Sequence, residues 1–321
     1  MKKNTRIISC AIQKGGCGKT LGSLNLAYSL AKKGYKVLLQ DLDPQATSTL
    51  LLNIDISDTS ILGVQDALEH TMLNMMGEEK FDIEFIKKCI VRPTFPKAKL
   101  ARGKYQVEEQ KFGFDLMPTR IELSNYDLAL SSFEVNGSSV GGLVLKTLNE
   151  AISKELDYDF IIIDVLPGLN MLAYNAVASS YNGGVIMVIN MDRSAITGGE
   201  NLLRCTTEIQ EILWDRYKIK HNGILGVLKN RYAPRLKVTH EIDENLFNYF
   251  GPAHIFKSTI PSRASCDKAH AARRLYAEYD SEVGNIFEGL ADEVVKQIAV
   301  RDKENEPVFI RKFGHEYISE Q

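Results

Sequence analysis

One eight-residue run, Gln13-Lys14-Gly15-Gly16-Cys17-Gly18-Lys19-Thr20, constrains this chain more than any other part of it. Ahead of it, Arg6-Ile7-Ile8-Ser9-Cys10-Ala11-Ile12 reads as a short buried strand. Behind it, Leu21, Leu24, Leu26, Ala27, Leu30 and Ala31 recur at helical spacing as far as Gly34, a C-cap residue. Small residues between a strand and a helix let the backbone curl so that several N–H groups face inward. The free N–H groups and the dipole of the helix start then favour an anion at that point. The run therefore implies an α/β fold built around a phosphate-binding loop.

Particular residues take particular parts in that loop. The backbone from Gly15, Gly16, Cys17 and Gly18 through Lys19, Thr20 and Leu21 forms the cradle. Lys19 reaches the β- and γ-phosphates of a nucleotide, and the Thr20 hydroxyl ligates Mg²⁺. The common pattern G-x-x-x-x-G-K-[ST] puts glycine where this chain has Gln13, and this chain adds Lys14 instead. A loop serving its own nucleotide needs one lysine. The second is a charge suited to another nucleotide across a dimer interface.

The 321 residues, 44% hydrophobic and 25% charged, have the make-up of a soluble globular protein with a sizeable core. A net charge of −2 argues against a wholly basic nucleic-acid coat but leaves room for a local basic patch. Cys10, Cys17, Cys89, Cys205 and Cys266 are odd in number, scattered and without a C-x-x-C pair, so neither a disulfide framework nor a zinc site is expected. A reducing cytoplasm suits them. No apolar run reaches membrane-spanning length.

Apolar strands alternate with helical patterns along the chain: Lys36–Asp41, Phe112–Met117, Tyr158–Asp164, Gly184–Asn190, Gly223–Leu228 and His254–Lys257 follow the first. Such near-continuous apolar strands are buried on both faces. They predict one mostly parallel sheet of about seven strands with helices on both faces, over residues 1–300, followed by a charged tail at 301–321. Ligands of such sheets bind beyond the carboxyl ends of the strands, where Asp41 and Asp164 fall. Asp164 would hold Mg²⁺ through water, and Asp41 would support the metal shell. Asp43, carried outward onto the next loop, could orient a water in line with the γ-phosphate.

Lys14-Gly15-Gly16-Cys17-Gly18-Lys19-Thr20, Asp41-Leu42-Asp43-Pro44-Gln45 and Ile161-Ile162-Ile163-Asp164 occur in order and at suitable separations. Together they resemble the ParA/Soj/MinD family of deviant Walker A ATPases, which share a single P-loop NTPase domain. Leu116–Leu123, Gly223–Leu228 and Phe256–Pro261 extend the likeness over most of residues 5–300. The resemblance, closest to ParA-type partition ATPases, implies an ATP-sandwich homodimer in which Lys14 crosses to the partner's phosphates. It also implies that Asp43 positions the hydrolytic water, with Asn230 and the backbone near Pro261 around the adenine. ATP and Mg²⁺ are the implied cofactors. Nonspecific DNA and a ParB-like, centromere-binding adaptor are the implied partners, and the implied location is cytoplasmic and nucleoid-associated. After Asp164 the family usually has a residue and two prolines, whereas Val165-Leu166-Pro167-Gly168 keeps only the second.

Basic surfaces supply the candidate DNA contacts. Lys229, Arg231, Arg235 and Lys237 lie in a span without acids, and Arg263 follows, near Lys268, Arg273 and Arg274. Backbone phosphates could be gripped there without base reading. Residues 92–111, rich in Lys and Arg and broken by Pro93 and Pro96, read as an insertion. A mobile surface excursion is the expectation there, with a basic DNA-touching loop as the alternative. With only 13 residues ahead of Lys14, no helix-turn-helix is expected to precede the loop. A MinD-like membrane-cycling ATPase is the rival reading. It needs a basic amphipathic C-terminal helix, and the stretch from Arg301 contains Pro307 and many acids. A cluster-bridging reductase needs paired cysteines, which the scattered set does not provide.

Overall fold

Seven strands build the sheet: β1 (Arg6–Ala11), β2 (Val37–Leu42), β3 (Asp115–Met117), β4 (Phe160–Val165), β5 (Gly184–Asn190), β6 (Ile224–Tyr232) and β7 (Ile255–Pro261). Their order is β7-β6-β5-β1-β4-β2-β3, and every neighbouring pair is parallel. The computed structural model of the chain describes residues 5–11, 19–101, 104–192, 195–271 and 274–307. The expected parallel α/β sheet is thus present, as in a P-loop NTPase domain.

Strand side chains alternate between two apolar layers, because successive Cβ atoms point to opposite faces. Ile7, Leu38, Ile161, Ile163 and Met187 face one layer. It is covered by α3 (Val64–Met76), α4 (Val144–Glu155), α5 (Met171–Ser179), α6 (Ala195–Tyr217) and α7 (Lys237–Phe250). Ile8, Leu39, Ile162, Ile186 and Val188 face the other layer. Here α1 (Lys19–Lys32) and α8 (Ser281–Arg301) close the sandwich, joined at one side by Leu51 of the short α2 (Thr47–Leu51). Each fully buried Leu or Ile contributes roughly 1.5–3 kcal/mol, so the two layers supply the driving force for the fold.

Several polar groups inside are paired. The Gln40 amide donates to Asn149 Oδ1 at 2.6 Å, and Asn149 Nδ2 returns a bond to Gln40 Oε1 at 3.0 Å. His221 is fully buried; Gly223 N–H donates to its Nδ1 at 2.8 Å, so Nε2 carries the proton and donates to Val177 O at 2.7 Å. Burial lowers its pKa to about 4. Gly183, ahead of β5, passes so close to β1 that a Cβ there would lie 2.1 Å from Ile7 O.

Both sheet edges are occupied. At β3, Val91 bridges Leu116 antiparallel through two N–H···O bonds of 2.8 Å. At β7, the N–H groups of Lys257 and Ser258 donate to the Glu293 carboxylate of α8 at 2.7 and 2.9 Å.

The structure adds detail in two places. Within the 92–111 segment expected as an insertion, Thr94–Ala101 and Lys104–Lys111 pair antiparallel, with Lys97 the register partner of Glu108. The strand expected from Phe112 begins only at Asp115, because Phe112 and Phe114 turn into an aromatic group with Phe95. Helix α8 runs to Arg301, whose buried guanidinium donates to Ile224 O at 3.3 Å, and residues 308–321 of the tail lie outside the described residues.

Candidate functional site

The parallel register sets Cys10, Asp164 and Asp41 side by side across β1, β4 and β2, near the carboxyl end of the sheet. Neighbouring strands lie about 4.8 Å apart, so two carboxylates share one small region. Both are completely buried. Burial first, and the Asp164 charge next, push the Asp41 pKa up to about 7, against the pull of two hydrogen bonds from Thr49.

Helix α2 supplies those bonds. Thr49 N–H and Oγ1–H donate to Asp41 Oδ2 at 2.8 and 2.7 Å, and Ser48 Oγ donates to Asp164 Oδ2 at 2.8 Å. Thr119 N–H donates in turn to Thr49 Oγ1 at 3.1 Å. Asp41 Oδ1 is buried and has no hydrogen-bond partner among the described residues. A buried acceptor left so costs about 1–3 kcal/mol unless a ligand satisfies it. An orphaned hard oxygen beside a second carboxylate fits Mg²⁺ held through its water shell.

Asp43, on the loop after β2, is a buried residue at 6% exposure; its Oδ1 accepts from Gln45 N–H at 3.0 Å and its carbonyl accepts from Ala46 N–H at 2.7 Å. Ala46 takes a left-handed φ of 51° to make this turn into α2.

The expected phosphate loop bridges β1 and α1, which pack against each other. Thr20 lies in the first turn of α1, and Leu21 is buried under the helix. Lys14, Gly15, Gly16, Cys17 and Gly18 fall outside the described residues, and Lys19 is placed by its backbone as the first residue of α1.

Asn230 and Pro261 stand at the carboxyl ends of β6 and β7, on the same rim of the sheet as the aspartates. Asn230 Nδ2 donates to Asn190 Oδ1 at 3.0 Å, and Pro261 is the register partner of Tyr232. Strand β6 is two places from β1, or about 10 Å.

The basic set divides. Lys229 is buried: its Nζ pairs with Asp243 at 2.7 Å and sits 5.0 Å from the Tyr232 ring centroid. It anchors α7 to the sheet and is withdrawn from the DNA candidates, since a buried paired ammonium does not reach a phosphate backbone. Arg231, Arg235 and Lys237 are exposed, and Arg231 takes a left-handed φ of 52°. Lys237 lies 3.8 Å from Glu241 at the surface. Arg263 is exposed and ion-paired with Glu282, with Asp280 at 3.9 Å.

Ser48, Thr49 and Thr119 went unread in the sequence. Hydroxyls seven and eight residues after Asp41 have no periodic signature, and only the fold of α2 brings them back onto the strand ends. Among the described residues no group of three or more His, Cys, Asp or Glu could hold a metal by itself, and no helix is long and apolar enough to cross a membrane.

A family model described as an AAA domain matches residues 5–219. The chromosome-partitioning ATPase Soj of Thermus thermophilus is 27% identical over 300 residues, spanning 93% of this chain and 98% of Soj. McdA of Cyanothece, solved as an ATP complex, aligns at a TM-score of 0.68 with 20% identity over 92% of this chain and 97% of its own. Cobyrinic acid a,c-diamide synthase of Mycobacterium smegmatis, solved with an ATP analogue and magnesium, aligns at 0.65 with 20% identity, over 95% of this chain and 99% of its own. Those two likenesses concern the fold, which carries more than one chemistry. The family match over two-thirds of the chain, the Soj relative and the sheet with its paired aspartates lead to one assignment: the chain belongs to the ParA/Soj/MinD family of deviant Walker A ATPases.

Proposed function

We propose that the chain is a ParA-type partition ATPase that binds ATP and Mg²⁺ as a sandwich dimer, coats DNA nonspecifically and is released when a cargo-bound, ParB-like adaptor stimulates hydrolysis. The observation that carries this reading is the Asp41–Asp164 pair with its orphaned Oδ1, set at the strand ends beside the start of α1.

Mg²⁺ bound to ATP would offset negative charge on the transferred phosphoryl group. The chain's own residues do the rest. Asp41 and Asp164 would hold the metal through its water shell, with Thr20 as the hydroxyl ligand. The loop amides of Gly15, Gly16, Cys17 and Gly18 and the Lys19 ammonium bind phosphate oxygens. Lys14 reaches the partner's nucleotide and stabilises charge that develops in transfer, as an arginine finger does. Asp43 orients the attacking water. Asn230 and Pro261 flank the adenine. Arg231, Arg235, Lys237 and Arg263 meet DNA phosphates, and the location is cytoplasmic on the nucleoid. A charge in trans makes hydrolysis depend on dimerisation, which suits a timed switch.

The experiment is retention of random-sequence DNA with and without ATP, together with the Lys14→Gln variant assayed for dimerisation and hydrolysis. ATP-dependent retention is expected, with both dimerisation and turnover lost in the variant. Wild-type turnover by Lys14→Gln removes the trans lysine, and ATP-independent behaviour on DNA removes the partition reading.

A further inference from the structure

We infer that Ser48 and Thr49 are positioning residues for the metal-holding carboxylates: Thr49 commits one oxygen of Asp41 so that the other is presented for a cation and its water, and Ser48 fixes the Asp164 carboxylate beside it. The inference rests on the ATP and Mg²⁺ reading above and deepens it.

Four hydrogen bonds carry it. Ser48 Oγ donates to Asp164 Oδ2 at 2.8 Å, while Thr49 N–H and Oγ1–H reach Asp41 Oδ2 at 2.8 and 2.7 Å. Thr119 N–H occupies an acceptor position of Thr49 Oγ1 at 3.1 Å, so the threonine proton is directed to Asp41. Both hydroxyl residues are 0% exposed and thus take no part in surface solvation. Neither caps α2, whose N-cap is Ala46 without a side-chain bond.

The geometry of consecutive residues matters here. Side chains one apart on a helix diverge by about 100°, so one short turn can serve two adjacent strands. Asp41 and Asp164 are neighbours in register, and two ionised carboxylates so placed repel one another and swing apart unless each is tied. Asp41 is tied twice through Oδ2, which leaves Oδ1 fixed in place and without a partner among the described residues. Oriented outer ligands of this kind change metal affinity by about 10–100-fold when removed.

The test uses the full chain and a fluorescent ATP analogue, titrated with Mg²⁺ and in EDTA, for Thr49→Val, Ser48→Ala and Thr49→Ser. In EDTA all variants should bind nucleotide within about twofold of the native chain. The Mg²⁺ concentration that tightens binding should rise about tenfold in Thr49→Val and Ser48→Ala, and return to the native value in Thr49→Ser. A merely structural role would weaken binding equally with and without Mg²⁺, and that outcome overturns the inference, as does an unchanged Mg²⁺ requirement. Should Thr49→Val fail to fold by thermal denaturation, Ser48→Ala decides the matter at Asp164. A native chain that binds no nucleotide overturns the parent reading itself, and with it anything to position.

Discussion

Asp41 and Asp164 are direct register partners on adjacent parallel strands, and each accepts at its Oδ2 from a hydroxyl of the same short helix. Burial and a like charge so close both disfavour the ionised form of Asp41 when no cation is present. Asp41 accordingly stands well above the ordinary carboxylate range, through burial first and Asp164 second. A folded-state pKa above the unfolded one contributes stability at low pH and loses it as pH rises through the folded value. The Mg²⁺-free protein should therefore lose stability as pH rises from about 4 to about 7, with no further loss above it. Asp41→Asn should raise its melting temperature at pH 8 by about 2–5 °C, a gain that shrinks through the acid range and vanishes near pH 4, as thermal denaturation across pH would register. The same variant should lose Mg²⁺-dependent tightening of nucleotide.

His221 gives the opposite limb. Its folded pKa of about 4 lies below the ordinary value of 6.5, so its contribution is full above pH 6.5 and lost as pH falls toward 4. That shift corresponds to roughly 3 kcal/mol. His221→Gln should be less stable at neutral pH, but with a flatter acid limb in urea denaturation between pH 7 and pH 4.

Lys229 and its exposed neighbours should separate cleanly. Lys229→Ala leaves the half-buried Asp243 without its cation and should cost about 1–3 kcal/mol of stability. Arg231→Ala, Arg235→Ala and Lys237→Ala combined should leave the fold intact and weaken random-DNA retention. Every cation that met a phosphate should, once removed, lower the slope of log affinity against log salt by about 1. An unchanged slope takes DNA binding elsewhere on the surface.

Gly183→Ala tests the packing of β5 against β1. Its Cβ would meet the Ile7 carbonyl at 2.1 Å, and Ile7 lies in a central strand that cannot retreat without losing pairs on both sides. A loss above about 3 kcal/mol in chemical denaturation is expected.

Long apolar strands made the sheet legible, since Ile161, Ile162 and Ile163 must be buried on both faces wherever they pack. The same runs put Asp41 and Asp164 at strand ends. Lys229 read as a surface cation because its partner Asp243 comes fourteen residues later, on a helix whose docking no local pattern reveals. The hairpin at 94–111 was hidden by prolines and lysines, although Lys97-Ala98-Lys99-Leu100 and Tyr105-Gln106-Val107-Glu108 alternate with period two. Ser48 and Thr49 had no signal at all, because their role depends on a left-handed Ala46 that folds α2 back over the strand ends.

Glu293 at one margin of the sheet and Val91 at the other have a consequence for how copies of this molecule can associate. With the amides of Lys257 and Ser258 and both polar groups of Leu116 already spoken for, neither margin offers an incoming strand an uninterrupted ladder. Growth by sheet continuation, the usual route to open-ended fibres, is disfavoured at both. Association is steered instead to the loop-bearing rim and the helical faces, where contacts can be made and undone without breaking the ladder.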